Sequence, residues 1–230
     1  IRIVWKAFAG KANSRVMLML SFMEKLRRPR KLRIVTNGHP ALRKVSRPIV
    51  DITAEVRELA ERMIVTMLTN EVVGVGLAAP QVGVNIRLIV LKTCSDRAQG
   101  NADDLSPGEL LLNPRMPLAL VNPELLSVSS EQSSEVEGCL SLPGVEGRVT
   151  RPARVLLQAS TLEGEMLTVE CAGLLARCLQ HEIDHLDGRL FYDCLSAEEQ
   201  RRNATVMQTL ERVEQERLAR SEKRGRQAGN

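Results

Sequence analysis

The sequence predicts an α+β fold in which antiparallel or mixed β-sheets pack around a central helix, with an additional helix at the C-terminal end. Short apolar runs bounded by polar or turn-forming residues predict the strands. The stretch QHEIDHL (180–186) has Ile183 and Leu186 at helical spacing, which predicts the buried central helix. A capping-box pattern at Ser196 and Glu199 predicts where the last helix begins.

The first predicted elements precede a glycine-rich stretch. The folded body is predicted to begin near Leu32, and Asp51 is a favourable N-cap residue for the first helix. The apolar stripe of that helix consists of Ile52, Val56, Leu59, Met63 and Met67. The helix is expected to end before GVGLAAPQVG (74–83), whose glycines predict a loop.

Four later apolar segments predict strands, and the last two are joined by a tight turn. The expected strands are IRLIVL (86–91), LALVNPELLSV (118–128), ARVLLQAST (153–161) and MLTVEC (166–171). LEGE (162–165) is the expected hairpin turn. Residues 95–116 are polar and contain Gly100, Pro107 and Pro114, so a surface excursion is expected there.

Two helices should follow the strands. The central helix is expected to run from about Ala172 to near Gly188, because glycine is favoured just beyond a helix C-terminus. The last helix should span Ser196 to Ser221. Its apolar stripe is narrow and consists of Val206, Leu210, Val213 and Leu218.

Composition and charge indicate one domain with basic ends. The 230 residues are 43% hydrophobic, and no apolar run approaches the roughly 20 residues that span a bilayer. Residues 1–31 are predicted to be a basic extension, either disordered, a targeting segment or a misplaced start. Residues 32–195 form the main domain, and 196–230 form the C-terminal helix with a basic tail. Five cysteines without a pairing pattern indicate a reducing compartment rather than a disulfide framework.

Two of the three histidines lie on the central helix, and their spacing indicates a metal site. Residues four apart on a helix share one face, so His181 and His185 can aim two imidazoles at one ion. Glu182 lies on the same turn and can handle the proton of a bound water, as in many metal-dependent hydrolases. The predicted central helix is therefore a metal-binding helix.

Two histidines do not complete such a site, because hydrolytic sites normally use three protein ligands. A third histidine ten residues after His181 would extend the motif, but that position holds Phe191. The stretch NATVM (203–207), where a downstream glutamate would be expected, has no carboxylate. Upstream, Cys139 in EGCLSLPG (137–144) offers a thiolate, although a lone cysteine more often packs in a core.

Three separated motifs together resemble the peptide deformylase family. They are GVGLAAPQ (74–81), EGCLS (137–141) and QHEIDHL (180–186), and the resemblance covers about residues 32–195. It implies an enzyme that removes the formyl group from the N-terminal formylmethionine of new polypeptides and releases formate. It also implies that Cys139, His181 and His185 hold one divalent metal ion, with Fe(II) expected and Zn(II), Ni(II) or Co(II) able to take its place.

The resemblance also implies roles for residues around the metal. Glu182 would act as general base and then general acid. The side-chain amide of Gln81 and the backbone N–H of Leu140 would stabilise the oxyanion. Gly76 would pair with the main chain of the peptide. Val75, Cys178 and Glu137 are expected at the pocket for the methionine side chain.

Expected partners are N-formylmethionyl peptides and, through the basic C-terminal helix, the ribosome. The protein is expected to be monomeric, to have no membrane partner, and to work in a bacterial cytoplasm, or in an organelle if residues 1–31 are a transit peptide. Two alternatives stay open. One is a different His-Glu-x-x-His metallohydrolase, such as a peptidase, and the other is a ribosome-binding protein with a vestigial metal site. Residues 95–116 are longer than expected for a minimal family member, which could alter substrate access.

Overall fold

The computed structural model describes residues 29–72, 74–93 and 105–228, the last four of them as backbone. Most of the predicted basic extension and the first part of the 95–116 excursion lie outside these ranges. The domain boundaries at 31/32 and 195/196 stay a prediction. Among the described residues, every helix is too short or too polar to cross a membrane.

Within the described ranges, seven strands form two antiparallel sheets, which confirms the predicted α+β class. The strands are β1 (Gly76–Ala78), β2 (Leu88–Leu91), β3 (Leu118–Val128), β4 (Gln132–Gly138), β5 (Glu146–Pro152), β6 (Arg154–Ser160) and β7 (Met166–Ala172). The larger sheet has the order β1-β2-β3-β6-β7, and β4 pairs with β5 alone. All neighbouring strands of both sheets are antiparallel.

In the part of the chain that the structure describes, four α-helices accompany the sheets: α1 (Ala54–Leu68), α2 (Pro107–Leu112), α3 (Gly173–Leu186) and α4 (Ala197–Ala228). Short 3-10 helices occupy Pro40–Arg43, Ala79–Val82, Asn113–Arg115 and Phe191–Cys194. Helix α3 is the predicted central helix, and Gly188 just beyond it has a φ of 73°, a conformation that favours glycine.

The larger sheet is buried on both faces around β2, because its residues alternate between two apolar clusters. Leu88 and Val90 face the cluster that includes Met63 and Met67 of α1. Ile89 and Leu91 face the cluster built on α3. The sheet therefore holds α3 against a fixed surface, which is what a metal-binding helix requires.

Two sequence predictions were wrong in detail, and a third region has more structure than the sequence indicated. Helix α1 begins after Thr53 rather than at Asp51. The glycine-rich stretch expected to be a loop contains β1 and a 3-10 helix. Within the 95–116 excursion, the described part forms α2, whose N-terminus is capped by Ser106 and Glu109.

The β4–β5 hairpin was missed altogether. Strand β4 reads QSSEVEG, and Glu137 is the one residue of that strand that is fully buried. In β5 the buried positions are Gly147, Val149 and Arg151. Every second residue is buried, but the buried residues are not consistently apolar, so the usual sequence pattern of a half-buried strand is missing. A strand that buries charged groups gives no apolar pattern to recognise.

Helix α4 begins within one residue of the predicted start and ends seven residues later than predicted, at Ala228 instead of Ser221. The Ser196 and Glu199 side chains cap its first turn, with 2.8 Å between the two oxygens. Glu214 anchors the helix to the N-terminal segment, because its fully buried carboxylate pairs with Arg33 at 2.6 and 2.9 Å.

Candidate metal centre

Three metal-ligating side chains meet between α3 and the end of β4. His181 and His185 lie one turn apart on α3, and Cys139 directly follows the last residue of β4. Their ligand atoms all lie within 4.8 Å of one another. The Cys139 Sγ is 3.3 Å from the His185 Nε2. One thiolate with two imidazoles is a donor set that suits zinc or iron, so these residues fit a divalent transition metal.

The ring of His181 is oriented by Glu137. The His181 Nδ1 lies 2.9 Å from the Glu137 Oε2, so Nδ1 donates to the carboxylate and Nε2 is left for a metal. Burial alone would raise the pKa of Glu137, but the hydrogen bonds from His181 and Arg151 hold that pKa well below its ordinary value. Glu137 is therefore ionised at neutral pH and can accept the hydrogen bond from the His181 imidazole.

Two arginines hold that carboxylate in turn. Arg151 donates to both oxygens of Glu137, at 2.7 and 3.0 Å, and Arg177 donates to one of them at 2.6 Å. Arg151 also donates to Asp184 at 2.7 Å, so one guanidinium joins β5 to α3. The sequence contains no signal for Arg151, because an arginine in a polar strand is normally exposed.

Glu182 is the unpaired acid of the site. It is buried, and among the described residues its Oε2 has no hydrogen-bond partner. Burial raises its pKa to about 7, against the opposing effect of His181. A carboxyl group with this pKa can both accept and donate a proton near neutral pH.

The surroundings of His185 disfavour the charged form of its imidazole. Burial, followed by the charge of His181, holds its pKa well below the ordinary value. Within the described parts of the chain its Nδ1 has no hydrogen-bond partner. Its Nε2 faces Cys139, so a neutral ring presents a lone pair or a proton to the sulfur according to tautomer.

The side-chain amide of Gln81 faces the same place from the 3-10 helix after β1. Its Oε1 accepts from the Ala78 N–H at 2.8 Å, which fixes which end of the amide carries the hydrogens. Its Nε2 lies 3.3 Å from the Cys139 Sγ. Leu140 follows Cys139 in the chain and is half-buried at the same cavity.

Gly76 allows β1 to lie directly against α3. A Cβ atom at this position would lie 2.6 Å from the Cys178 Sγ and still closer to the Glu182 Oε1. No side chain fits there, so this glycine is required for space. Its backbone forms the edge of the larger sheet, since β1 has β2 as its one neighbour among the described strands.

A cavity of about 690 Å³ joins these groups. Nine of the ten predicted site residues line it, and they are Val75, Gly76, Gln81, Glu137, Cys139, Leu140, Cys178, His181 and Glu182. His185, the tenth, lies behind Cys139 and is 1% exposed. The rim also carries exposed apolar side chains that the sequence did not point to, namely Val72, Val136 and Leu174.

Comparison with known proteins agrees with the motifs. The sequence profile described as polypeptide deformylase matches residues 31–201. The protein named peptide deformylase 2 of Gloeobacter violaceus is 45% identical over 170 residues, which are 74% of this chain and 81% of that protein.

Solved structures give the same result. A peptide deformylase from Ehrlichia chaffeensis is 32% identical with a TM-score of 0.67, and the match covers 82% of this chain and 99% of that one. A peptide deformylase from Thermotoga maritima is 36% identical with a TM-score of 0.60, covering 72% of this chain and 98% of that one. The chain therefore belongs to the polypeptide deformylase family.

Proposed function

We propose that Cys139, His181 and His185 hold one divalent metal ion, which is Fe(II) in the cell and can be replaced by Zn(II), Ni(II) or Co(II). The donor set and the closeness of the three ligand atoms support this assignment. The hydrogen bond from the His181 Nδ1 to Glu137 supports it as well, because it leaves Nε2 free to ligate. When bound, such an ion supplies Lewis acidity towards a water molecule and towards the formyl oxygen.

The chain is a metal-dependent deformylase, an enzyme that removes the formyl group from N-formylmethionyl polypeptides. The observation that carries the reaction is the unpaired, buried carboxylate of Glu182 beside the three ligands. A peptidase or a ribosome-binding protein with a vestigial site is not favoured, because the family match covers the whole of this site.

Glu182 is the proton carrier of the proposed mechanism. Its carboxylate takes a proton from the attacking water and passes a proton to the amine nitrogen that leaves. The Gln81 amide and the Leu140 N–H donate hydrogen bonds to the oxygen that becomes negative as water adds to the formyl carbon. These donors are held in place before substrate arrives, since Gln81 is 1% exposed.

The peptide would lie along β1. The free edge of that strand offers the Gly76 backbone for hydrogen bonds with an extended substrate. Val75 and Cys178 would form apolar walls for the methionine side chain. Glu137 lines the same cavity, but His181, Arg151 and Arg177 occupy its oxygens, so we assign it the orientation of His181 in addition to a place in the wall.

Formate release tests the proposed function. Protein purified without oxygen should release one formate per formyl-Met-Ala consumed, and should leave the internal amide of acetyl-Met-Ala intact. Reloading the metal-free protein with Fe(II) or Co(II) should restore the activity. Cleavage of the internal peptide bond with no formate released would contradict the proposal in favour of a peptidase.

We further propose that the chain acts as a monomer in a bacterial cytoplasm and that its basic tail contacts the ribosome. From Arg217 onwards the sequence carries five basic residues against one acid, Glu222. Polyanionic surfaces such as ribosomal RNA attract such a segment. Glu214, a buried anchor of α4, lies before this segment, and Arg217 pairs with it at 3.7 Å.

Removing residues 217–230 should therefore leave kcat for short formylated peptides within about twofold while weakening co-sedimentation with ribosomes. The full chain with Arg220, Lys223, Arg224 and Arg226 changed to Glu is the matched variant, because it retains Arg217 beside Glu214 and reverses the charge of the tail. Equal ribosome binding by the full chain and by both variants would show that the tail is merely solvated.

A further inference from the structure

We propose that Ser141 is a positioning residue for Gln81: its hydroxyl oxygen takes one hydrogen of the Gln81 amide and so aims the other into the catalytic cavity. The inference deepens the proposed function and rests on Gln81 as an oxyanion donor. Ser141 is fully buried, although serine is normally an exposed residue. Its Oγ lies 3.3 Å from the Gln81 Nε2.

The position of Ser141 is fixed independently of its side chain. Its N–H donates to the Cys139 Sγ at 3.4 Å, and its carbonyl accepts from the Asn37 N–H at 3.2 Å. Removing the hydroxyl therefore need not move the backbone on either side. Among the described residues, the hydrogen-bond partner of the hydroxyl is the amide of Gln81, so the hydroxyl would act on the reaction through Gln81.

The side-chain amide of Gln81 has two hydrogens, and two acceptor atoms lie near them, the Cys139 Sγ and the Ser141 Oγ. Its Oε1 is taken by the Ala78 N–H, so Nε2 must face Cys139 and Ser141. A sulfur is a weak acceptor, and a hydroxyl is a stronger one. With Ser141 holding one hydrogen, the amide plane is set and the second hydrogen lies towards Cys139 and the cavity.

Without the Ser141 hydroxyl the amide keeps the bond from Ala78 and the weak contact with the Cys139 Sγ, so Nε2 loses its stronger acceptor and the amide can turn about the Ala78 bond. An oxyanion donor acts because it is oriented before charge develops. Ser141→Ala should therefore lower kcat by about tenfold, less than the 10²–10³-fold typical of losing the donor itself, while KM and the metal content stay unchanged.

A double-mutant cycle with Gln81→Ala separates positioning from general damage. If Ser141 acts through Gln81, the double variant should be no more than about twofold slower than Gln81→Ala alone, because the group being aimed is gone. If the kcat losses of the two single variants multiply in the double variant, the inference is overturned. So would an unchanged kcat in Ser141→Ala, or a loss explained by lower metal content.

Ser46→Ala is the matched control. Ser46 is also buried, and its Oγ has no hydrogen-bond partner among the described residues. This variant should retain full kcat. If Ser141→Ala does not fold, Ser141→Cys preserves the side-chain size with a weaker acceptor, and it should show the same loss of kcat at normal metal content; full kcat in that variant would overturn the inference.

A spectroscopic measurement does not depend on turnover. In the zinc-loaded protein, the two Gln81 side-chain amide protons should give separate NMR signals that exchange slowly with water. In Ser141→Ala, both signals should shift and both protons should exchange faster. Unchanged signals would overturn the inference. If Gln81→Ala keeps full kcat, the proposed role of Gln81 is wrong and the inference about Ser141 is wrong with it. If Gln81→Ala has a low kcat and Ser141→Ala has full kcat, the inference about Ser141 alone is wrong.

Discussion

Glu182→Gln is expected to bind metal normally and to lose about 10²–10⁴-fold in kcat, the range over which general acid–base groups contribute. The substitution keeps the shape of the side chain and removes its ability to take a proton. The Glu182 Oε2 has no hydrogen-bond partner among the described residues, so the carboxylate is not engaged in holding the fold. Formate release and metal content measured on one sample check the prediction.

A second buried carboxylate provides the control for Glu182. Glu214→Gln also removes a fully buried charge, but that charge pairs with Arg33 far along the chain. This variant should unfold at a lower temperature, because Arg33 loses its partner, and should keep its kcat. Near-normal turnover in Glu182→Gln would contradict the proton-carrying role, whatever the metal content.

Of the predicted site residues, His181, His185 and Glu182 follow from a local pattern, whereas the other seven were expected from the resemblance of three motifs to a known family. The His181 and His185 spacing follows from helix geometry, and nine of the ten predicted site residues line one cavity. The strands with apolar alternation were equally accessible, as β3 coincides with the predicted 118–128. For the histidine pair and for these strands, the physical cause acts within a few residues of sequence.

The residues that support the site were not predictable, because their partners are distant in the chain. Arg151 is buried on account of Glu137 and Asp184, which lie 14 and 33 residues away. Neither carboxylate predicts a buried arginine without the fold. The same holds for Arg33 and Glu214, which are 181 residues apart.

Long-range pairing also explains the missed hairpin. Strands β4 and β5 carry Glu137 and Arg151, and these charges pair with each other and with α3 instead of with solvent. Buried ion pairs of this kind stabilise little relative to apolar packing, but they require a defined geometry. In this molecule that geometry fixes His181, so the polar strands support the proposed metal site.

Cys139→Ala is expected to abolish tight metal binding. The substitution removes one of three proposed ligands. Mutation of a residue that merely supports a ligand already lowers metal affinity by about 10–100-fold. Dialysed protein should contain well under one metal per chain, and the cobalt-loaded protein should lose the absorption that arises from charge transfer between thiolate and metal. Deformylation should fall with metal content and recover only partly at high metal concentration.

Cys171→Ala distinguishes loss of a ligand from loss of a buried thiol. Cys171 is fully buried in the core cluster on α3, and burial raises the pKa of its thiol to about 12. Its removal should lower the unfolding temperature and leave the metal content unchanged. Full metal content in Cys139→Ala would instead place the sulfur outside the coordination of the ion, and the histidine pair would then need a different third ligand.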